Sequence, residues 1–265
     1  YLNCHSYYSL RYGTFSEVTL LELAVANHVK YIALTDINNT SACLNFLRKA
    51  EEFHMHAVVG IDFRNGVDQQ FVGLAKNNEG FQELNTFLSD YLHQGERTFE
   101  RAPDFLNAFV VYPFEKVLEW ELTELKPYEY IGISVKDLKK LPFSKYIKYQ
   151  DKLVFQQPVS FRTKKDFNAH RLLRAIANNT LLSKLSVAEQ GSPDDVMYPM
   201  DNVYALFREY PFILENTALL LKQCKVSFDF SKEKQSQNQH TYTGSREKDQ
   251  ELLENLCLEQ LGYRY

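Results

Sequence analysis

The chain has 265 residues, 45% of them hydrophobic, which is enough to fill the core of one large α/β domain or two small ones. With 30 Lys and Arg against 34 Asp and Glu, it lacks the basic excess that is typical of proteins whose whole surface binds nucleic acid. The four cysteines form no C-x-x-C pair, which argues against a thiolate zinc site and fits a reducing, cytoplasmic compartment.

Membrane insertion and export are not expected. No apolar run approaches the roughly 20 residues that span a bilayer, and the N-terminus lacks the basic and apolar regions of a signal peptide. Because the sequence begins at Tyr1 and stops at "LGYRY", we expect it to be part of a longer protein.

The first part of the chain alternates short apolar runs with helical patterns. The strand-like runs are "LNCHSY", "YIALTD", "AVVGIDF", "FVGLAK", "AFVVYP", "YIGIS" and "KLVFQQP". Amphipathic segments lie between several of them, and Ser16 can cap the first. Because parallel neighbours need crossover connections, usually helices, this alternation predicts a parallel sheet. The number of units favours a closed or nearly closed β/α barrel.

After about Phe161 the pattern becomes helical. Three helices are predicted, in "KKDFNAHRLLRAIANN", "MDNVYALFREYPFILENTALLLKQC" and "SREKDQELLENLCLEQL", the second of them broken at Pro211. The segment at about 231–248 is polar and is expected to be a mobile loop. The sequence thus divides into a barrel part, 1–161, and a helical C-terminal part, 162–265.

Polar side chains at the ends of the predicted strands are the candidate site. They are His5, Asp36, Asp62, Gln70 and Ser160. Active sites of β/α barrels lie at the carboxyl ends of the strands, and imidazole and carboxylate groups suit zinc, manganese or iron. The alternative is that the two carboxylates hydrogen-bond to nearby backbone amides and that His5 is a buried histidine bonded to one of them.

The remaining histidines add little to a metal site. His54 and His56 have ligand-like spacing but precede a strand, which places them at the opposite end of a barrel. His170 lies in a predicted helix and is expected to be exposed to solvent.

Several stretches of the chain resemble a known family. "LNCHSYYSLRYGT", "YIALTDINN", "VVGIDF", "FVGLAKNNEGFQELNTFLS", "FILENTALLLKQC" and "LCLEQLGYRY" follow in the order of the PHP (polymerase and histidinol phosphatase) domain at the N-terminus of bacterial DNA polymerase III alpha subunits. The resemblance implies a distorted seven-stranded β/α barrel, the PHP fold, with additional C-terminal helices that lead toward a polymerase palm domain.

The resemblance also implies how far the family's metal site is preserved. Usable ligands stand at three matched positions: His5, Asp36 and Asp62. At six other positions the family's ligand is replaced, and these are Asn3, Tyr12, Ile37, Gln70, Pro158 and Ser160. Because the loss of several direct ligands exceeds the 10–100-fold cost in affinity of one outer-shell change, we expect no tightly bound metal and no catalytic residue.

Two functions remain open at this point. The first is a catalytically inactive, structural or interaction domain of a replicative DNA polymerase, a nucleotidyltransferase. Its expected partners are the rest of the polymerase chain, a proofreading exonuclease subunit and DNA. The second is a residual phosphoesterase, a 3′-5′ exonuclease or pyrophosphatase, in which His5, Asp36 and Asp62 hold one weakly bound zinc or manganese ion. A free-standing small-molecule phosphatase fits the polymerase-type stretches less well.

Overall fold

Eight strands form one sheet in the computed structural model, which describes residues 1–93, 101–120, 124–230 and 240–264. The strands are β1 (Asn3–Cys4), β2 (Tyr31–Leu34), β3 (His56–Asn65), β4 (Asp68–Ala75), β5 (Ala108–Pro113), β6 (Glu129–Ile133), β7 (Leu153–Phe155) and β8 (Pro158–Val159). The helices are α1 (Glu17–Ala26), α2 (Cys43–Glu52), α3 (Asn78–His93), α4 (Phe114–Trp120), α5 (Lys164–Ala177), α6 (Met200–Leu206), α7 (Pro211–Lys222) and α8 (Arg246–Arg264).

The order of the strands shows that the sheet curls into a nearly closed barrel. From edge to edge it runs β7-β6-β5-β4-β3-β2-β1-β8. The two edge strands are neighbours in sequence and are separated by Gln156 and Gln157 alone. The end of β7 and the start of β8 must therefore lie within roughly 11 Å of each other. The predicted α/β barrel is confirmed. Its strand count is eight rather than seven, because the run "KLVFQQP" contributes one strand to each edge.

One strand departs from the predicted parallel arrangement. β4 is antiparallel to both of its neighbours, whereas the other pairs of adjacent strands are parallel. The cause is a tight turn, in which Asn65 pairs with Asp68 and Gly66 adopts a φ of +61°. A glycine in this conformation permits a two-residue hairpin loop, so no crossover helix is needed between β3 and β4.

Alternation along the strands separates two groups of core residues. Ile32 and Leu34 of β2 belong to the larger group, which packs against helices α1 to α4, while Ala33 between them belongs to a smaller one. The smaller group also contains Leu220 and Leu221 of α7, which packs against β2 and β7. We infer that the smaller group fills the barrel interior and that α7 covers one end of it.

The predicted helices of the C-terminal part form, and the first two belong to the barrel unit. The predicted break lies between α6 and α7, and Pro211 is the first residue of α7. By its internal contacts the chain divides into two compact units, Tyr1–Phe228 and Asp229–Tyr265. The division into a barrel part, 1–161, and a helical part, 162–265, stays a prediction.

The second unit contains α8. Residues 231–239 of the polar segment lie outside the described part, and the segment's last three residues already belong to this helix. Among the described residues, none of the helices is both long and apolar enough to cross a lipid bilayer.

Candidate functional site

The candidate residues come from loops and strand ends at one end of the barrel. His5 follows β1, Asp36 lies two residues after β2, and Ser160 follows β8. Asp62 lies within β3, on the same face as Arg64, because side chains of a strand alternate with a period of two. The parallel strands β8, β1, β2 and β3 are neighbours, so their carboxyl ends meet at the same rim.

A chain of buried polar contacts crosses this rim. Nδ1 of His5 lies 2.8 Å from Oγ of Ser160, and Nε2 lies 2.9 Å from Oδ2 of Asp62. Nε of Arg64 donates to the same carboxylate oxygen at 2.9 Å, and Nη2 forms an ion pair with it at 2.8 Å. His5, Asp62 and Ser160 are fully buried, and 7% of Arg64 is exposed. The contacts therefore join the segments after β1 and β8 to strand β3.

The charge of Asp62 is compensated within the chain. Burial by itself would raise the pKa of this carboxyl, but the Arg64 guanidinium and the bond from His5 hold the pKa below its ordinary value. Asp62 in turn raises the pKa of Arg64, against the effect of burial. The other oxygen, Oδ1 of Asp62, is buried without a hydrogen-bond partner in the described structure.

Asp36 holds the loop that follows β1. Its Oδ1 accepts hydrogen bonds from the backbone N–H of Ser6 and the hydroxyl of Ser9, and its Oδ2 accepts one from the hydroxyl of Ser6. Ser9 also accepts a bond from the backbone N–H of Ile37 at 2.9 Å. Burial raises the pKa of Asp36, and the three hydrogen bonds to its carboxylate partly offset this rise. Keeping Asp36 ionised at neutral pH therefore costs stability of the folded state, and the hydrogen bonds reduce that cost.

Three of the substituted positions have structural contacts. Asn3 is fully buried, and its Oδ1 accepts a bond from the Thr35 hydroxyl at 3.2 Å, while its Nδ2 has no partner in the described structure. Ile37 forms a backbone bridge with Asp62. The ring of Tyr12 lies under the guanidinium of Arg64, 4.9 Å from its centroid.

The two outlying positions on β4 and β8 have other contacts. The side-chain amide of Gln70 donates to Asp68, and its oxygen accepts from Lys116. Pro158 pairs with Asn3 in the parallel ladder between β8 and β1, where its missing N–H faces the edge of the sheet.

Arg64 and His170 are the residues that the sequence analysis missed. A signal for Arg64 was available, because it stands two residues after Asp62 in a strand. His170 was expected to be exposed, and this prediction is wrong. It is fully buried, donates through Nδ1 to the carbonyl of Tyr12 at 2.8 Å and accepts at Nε2 from the N–H of Gly191 at 2.9 Å. Burial lowers the pKa of His170 to about 4.

A divalent cation does not fit the rim as its side chains stand. A metal needs lone pairs that point to one centre and are free of competing donors. Oδ2 of Asp62 accepts from both His5 and Arg64, and all the oxygen contacts of Asp36 go to the loop that follows β1. A guanidinium beside the carboxylate would also repel a second positive charge.

Comparison with known proteins finds a family model that matches the first part of the chain. The model of the PHP domain matches residues 2–130. DNA polymerase III subunit alpha of Ureaplasma parvum serovar 3 is 34% identical over 110 residues, which cover 42% of this chain and 11% of the relative.

Two more distant relatives match most or all of the chain. DNA polymerase III subunit alpha of Halalkalibacterium halodurans is 22% identical over 100% of this chain and 26% of the relative. The protein of the same name from Escherichia coli strain K12 is 23% identical over 86% of this chain and 23% of the relative. The chain thus spans about a quarter or less of the length of these relatives. The barrel and these similarities together relate residues 2–130 to the PHP domain family, and the chain is similar to the DNA polymerase III alpha subunits that contain this domain.

Proposed function

We propose that this chain is the N-terminal part of a replicative DNA polymerase and that its PHP domain has a structural and interaction role without hydrolysing phosphoesters. One observation carries the proposal: each residue that keeps a ligand-type side chain is engaged in a contact that braces the rim. His5 bonds to Ser160 and Asp62, and Asp36 bonds to Ser6 and Ser9. Packing and ligation are separable demands, so a fold can persist after its chemistry is lost.

The proposed partners follow from this role. The first is the rest of the polymerase chain, because the relatives that match are about four or more times longer than the aligned part of this chain. A proofreading exonuclease subunit and DNA are further proposed partners, in the bacterial cytoplasm. The polymerase reaction itself is assigned to the proposed remainder of the chain.

The absence of hydrolysis can be tested on the purified full chain. The substrates are a primer with a mismatched 3′ end and inorganic pyrophosphate, each with Mn²⁺ or Zn²⁺. We expect the wild type and Asp62→Asn to form equal amounts of product. Product that both preparations form to the same extent comes from a contaminating enzyme and not from the rim. Hydrolysis that is present in the wild type and lost in Asp62→Asn would contradict the proposal.

The structural role can be tested in the complete polymerase. Asp36→Ala should lower the Tm of the barrel. We expect it to lower equally the temperature at which primer extension is irreversibly lost. The exposed carboxylate of Asp68 offers a matched control, and Asp68→Asn should change neither temperature. If Asp36→Ala lowers the barrel's Tm while primer extension keeps its thermal limit, the barrel does not support the polymerase.

The residual phosphoesterase remains the second candidate, and the unpartnered Oδ1 of Asp62 is the observation in its favour. In that case His5, Asp36 and Asp62 would hold one weakly bound zinc or manganese ion. Because Asp36 has three donors of its own, binding would require the loop that follows β1 to rearrange. The hydrolysis assay above separates the two candidates.

A further inference from the structure

We infer that the guanidinium of Arg64 is a built-in replacement for a metal cation: it supplies from within the chain the positive charge that the buried carboxylate of Asp62 requires. An ionised carboxylate cannot be buried alone without a large loss of solvation free energy, so it must be paired or must bind a metal. In this structure the pairing group is Arg64, at 2.9 and 2.8 Å from Oδ2 of Asp62.

The backbone of Arg64 is anchored on both sides, which fixes the side chain at the rim. Its N–H donates to Oδ1 of Asn38 at 3.0 Å. Its carbonyl accepts one bond from the amide of Asn38 and one from the hydroxyl of Tyr91, both at 2.8 Å. The strand β3 continues to Asn65, and its pairing with β4 shifts register between Phe63 and Arg64. Arg64 is two residues from Asp62, so the two side chains lie on one face of the strand.

Tyr12 supplies the second part of the arrangement. Its buried ring lies 4.9 Å from the guanidinium carbon, a distance at which the face of an aromatic ring attracts a cation. Tyr12 is one of the positions at which the family's ligand is replaced, and a carboxylate there would need an additional cation. The aromatic ring needs none, so the guanidinium remains available to pair directly with Asp62, and it also lowers the pKa of the buried carboxyl of Asp195 against the effect of burial.

A covalently attached cation differs from a metal in that it cannot be exchanged or removed. The contacts among His5, Asp62 and Ser160 should therefore persist in the presence of chelators. This inference rests on the proposed structural role, because it assigns the rim to stability rather than to hydrolysis.

The matched pair Arg64→Lys and Arg64→Met tests the charge, since the two new side chains have similar length and an apolar stem. Thermal melting of the full chain should show a Tm roughly 10 °C below the wild type for Arg64→Met, which leaves a buried charge unpaired, and less than half of that fall for Arg64→Lys. The double variant Asp62→Asn with Arg64→Met removes both charges and should melt within about 4 °C of the wild type. Equal melting of the Lys and Met variants, or a double variant that melts as low as Arg64→Met or does not fold, would overturn the inference.

Melting with Mn²⁺ and with EDTA tests whether the cation can be exchanged. We expect neither reagent to shift the Tm of the wild type relative to that of the double variant. A rise with Mn²⁺ that is absent from the double variant would show that Asp62 is available to metals, and would overturn the inference. The proposed function can fail separately, since Asp62-dependent hydrolysis would contradict it, whereas equal melting of the Lys and Met variants would contradict the present inference alone.

Discussion

At the scale of single residues, the side chains of the metal-ligand type at the rim form hydrogen bonds within the chain. Asp36 is the clearest case, because its two oxygens accept three hydrogen bonds from Ser6 and Ser9. A buried carboxylate with several donors fixes the loop around it, whereas a metal ligand must keep a lone pair for the metal.

Replacing Asp36 by Ala should therefore destabilise the protein. The change leaves the two serine hydroxyls and one backbone N–H without their acceptor, and we expect the free energy of unfolding to fall by about 3 kcal/mol. Urea denaturation followed by circular dichroism measures it. The control Asp68→Asn alters an exposed carboxylate and should stay within about 0.5 kcal/mol of the wild type. A similar, small loss for both variants would contradict the assigned role of Asp36.

His170 should make stability depend on pH between about 4 and 6.5. Its pKa is about 4 when folded and 6.5 as the ordinary value, so the unfolded chain binds more protons in this window. The stabilisation by neutral His170 is complete above pH 6.5 and is lost as pH falls toward 4, by roughly 2–3 kcal/mol. Urea midpoints of the wild type and of His170→Gln, measured across this range, should converge toward low pH. A constant difference would contradict the prediction.

The sequence identified part of the site and missed the rest for a physical reason. The ends of the predicted strands placed His5, Asp36 and Asp62 at one rim, because the parallel topology could be inferred from the chain, although β3 continues past Asp62 to Asn65. Arg64 was missed although the strand period puts it beside Asp62. His170 was missed because burial of one helix face depends on which segment covers it, and helical periodicity alone does not reveal the covering loop around Gly191.

At the scale of elements, the hairpin of β3 and β4 is the feature that the alternation of strands and helices did not predict. The signal was present in "RNGVD", since a glycine at the first of two loop residues, here Gly66 before Val67, is typical of a two-residue hairpin turn of type II′. The hairpin extends β3 to Asn65, beyond the end expected from "AVVGIDF". It thereby keeps Arg64 within the strand, next to the register shift between Phe63 and Arg64.

The turn should depend on the conformation of Gly66. Replacement by Val puts a β-branched side chain at a φ of +61° and should lower the free energy of unfolding by about 1–2 kcal/mol. Asn tolerates this conformation better, so Gly66→Asn should lose less than half as much. No atom lies within 4 Å of an added Cβ, so neither loss would come from a clash. Equal urea midpoints for the two variants would show that backbone strain is not the determining factor.

At the scale of the whole molecule, the barrel is present and contacts within the chain link the segments of its rim. The two edge strands of the curled sheet are joined by the short link through Gln156 and Gln157, and the chain of contacts from Ser160 to Arg64 ties segments on both sides of β1. The barrel class followed from the number of alternating units. The eighth strand did not, because "KLVFQQP" looks like a single strand until its two ends pair with different neighbours.

The central claim is that this rim is held by side-chain contacts and not by a metal. Elemental analysis of the purified full chain, after dialysis against equal Zn²⁺ and Mn²⁺ and removal of free ions, tests it most directly. We predict that both metals remain far below one equivalent per chain and that Asp62→Asn has the same content as the wild type. A content near one equivalent or more in the wild type that is lost in Asp62→Asn would contradict the claim.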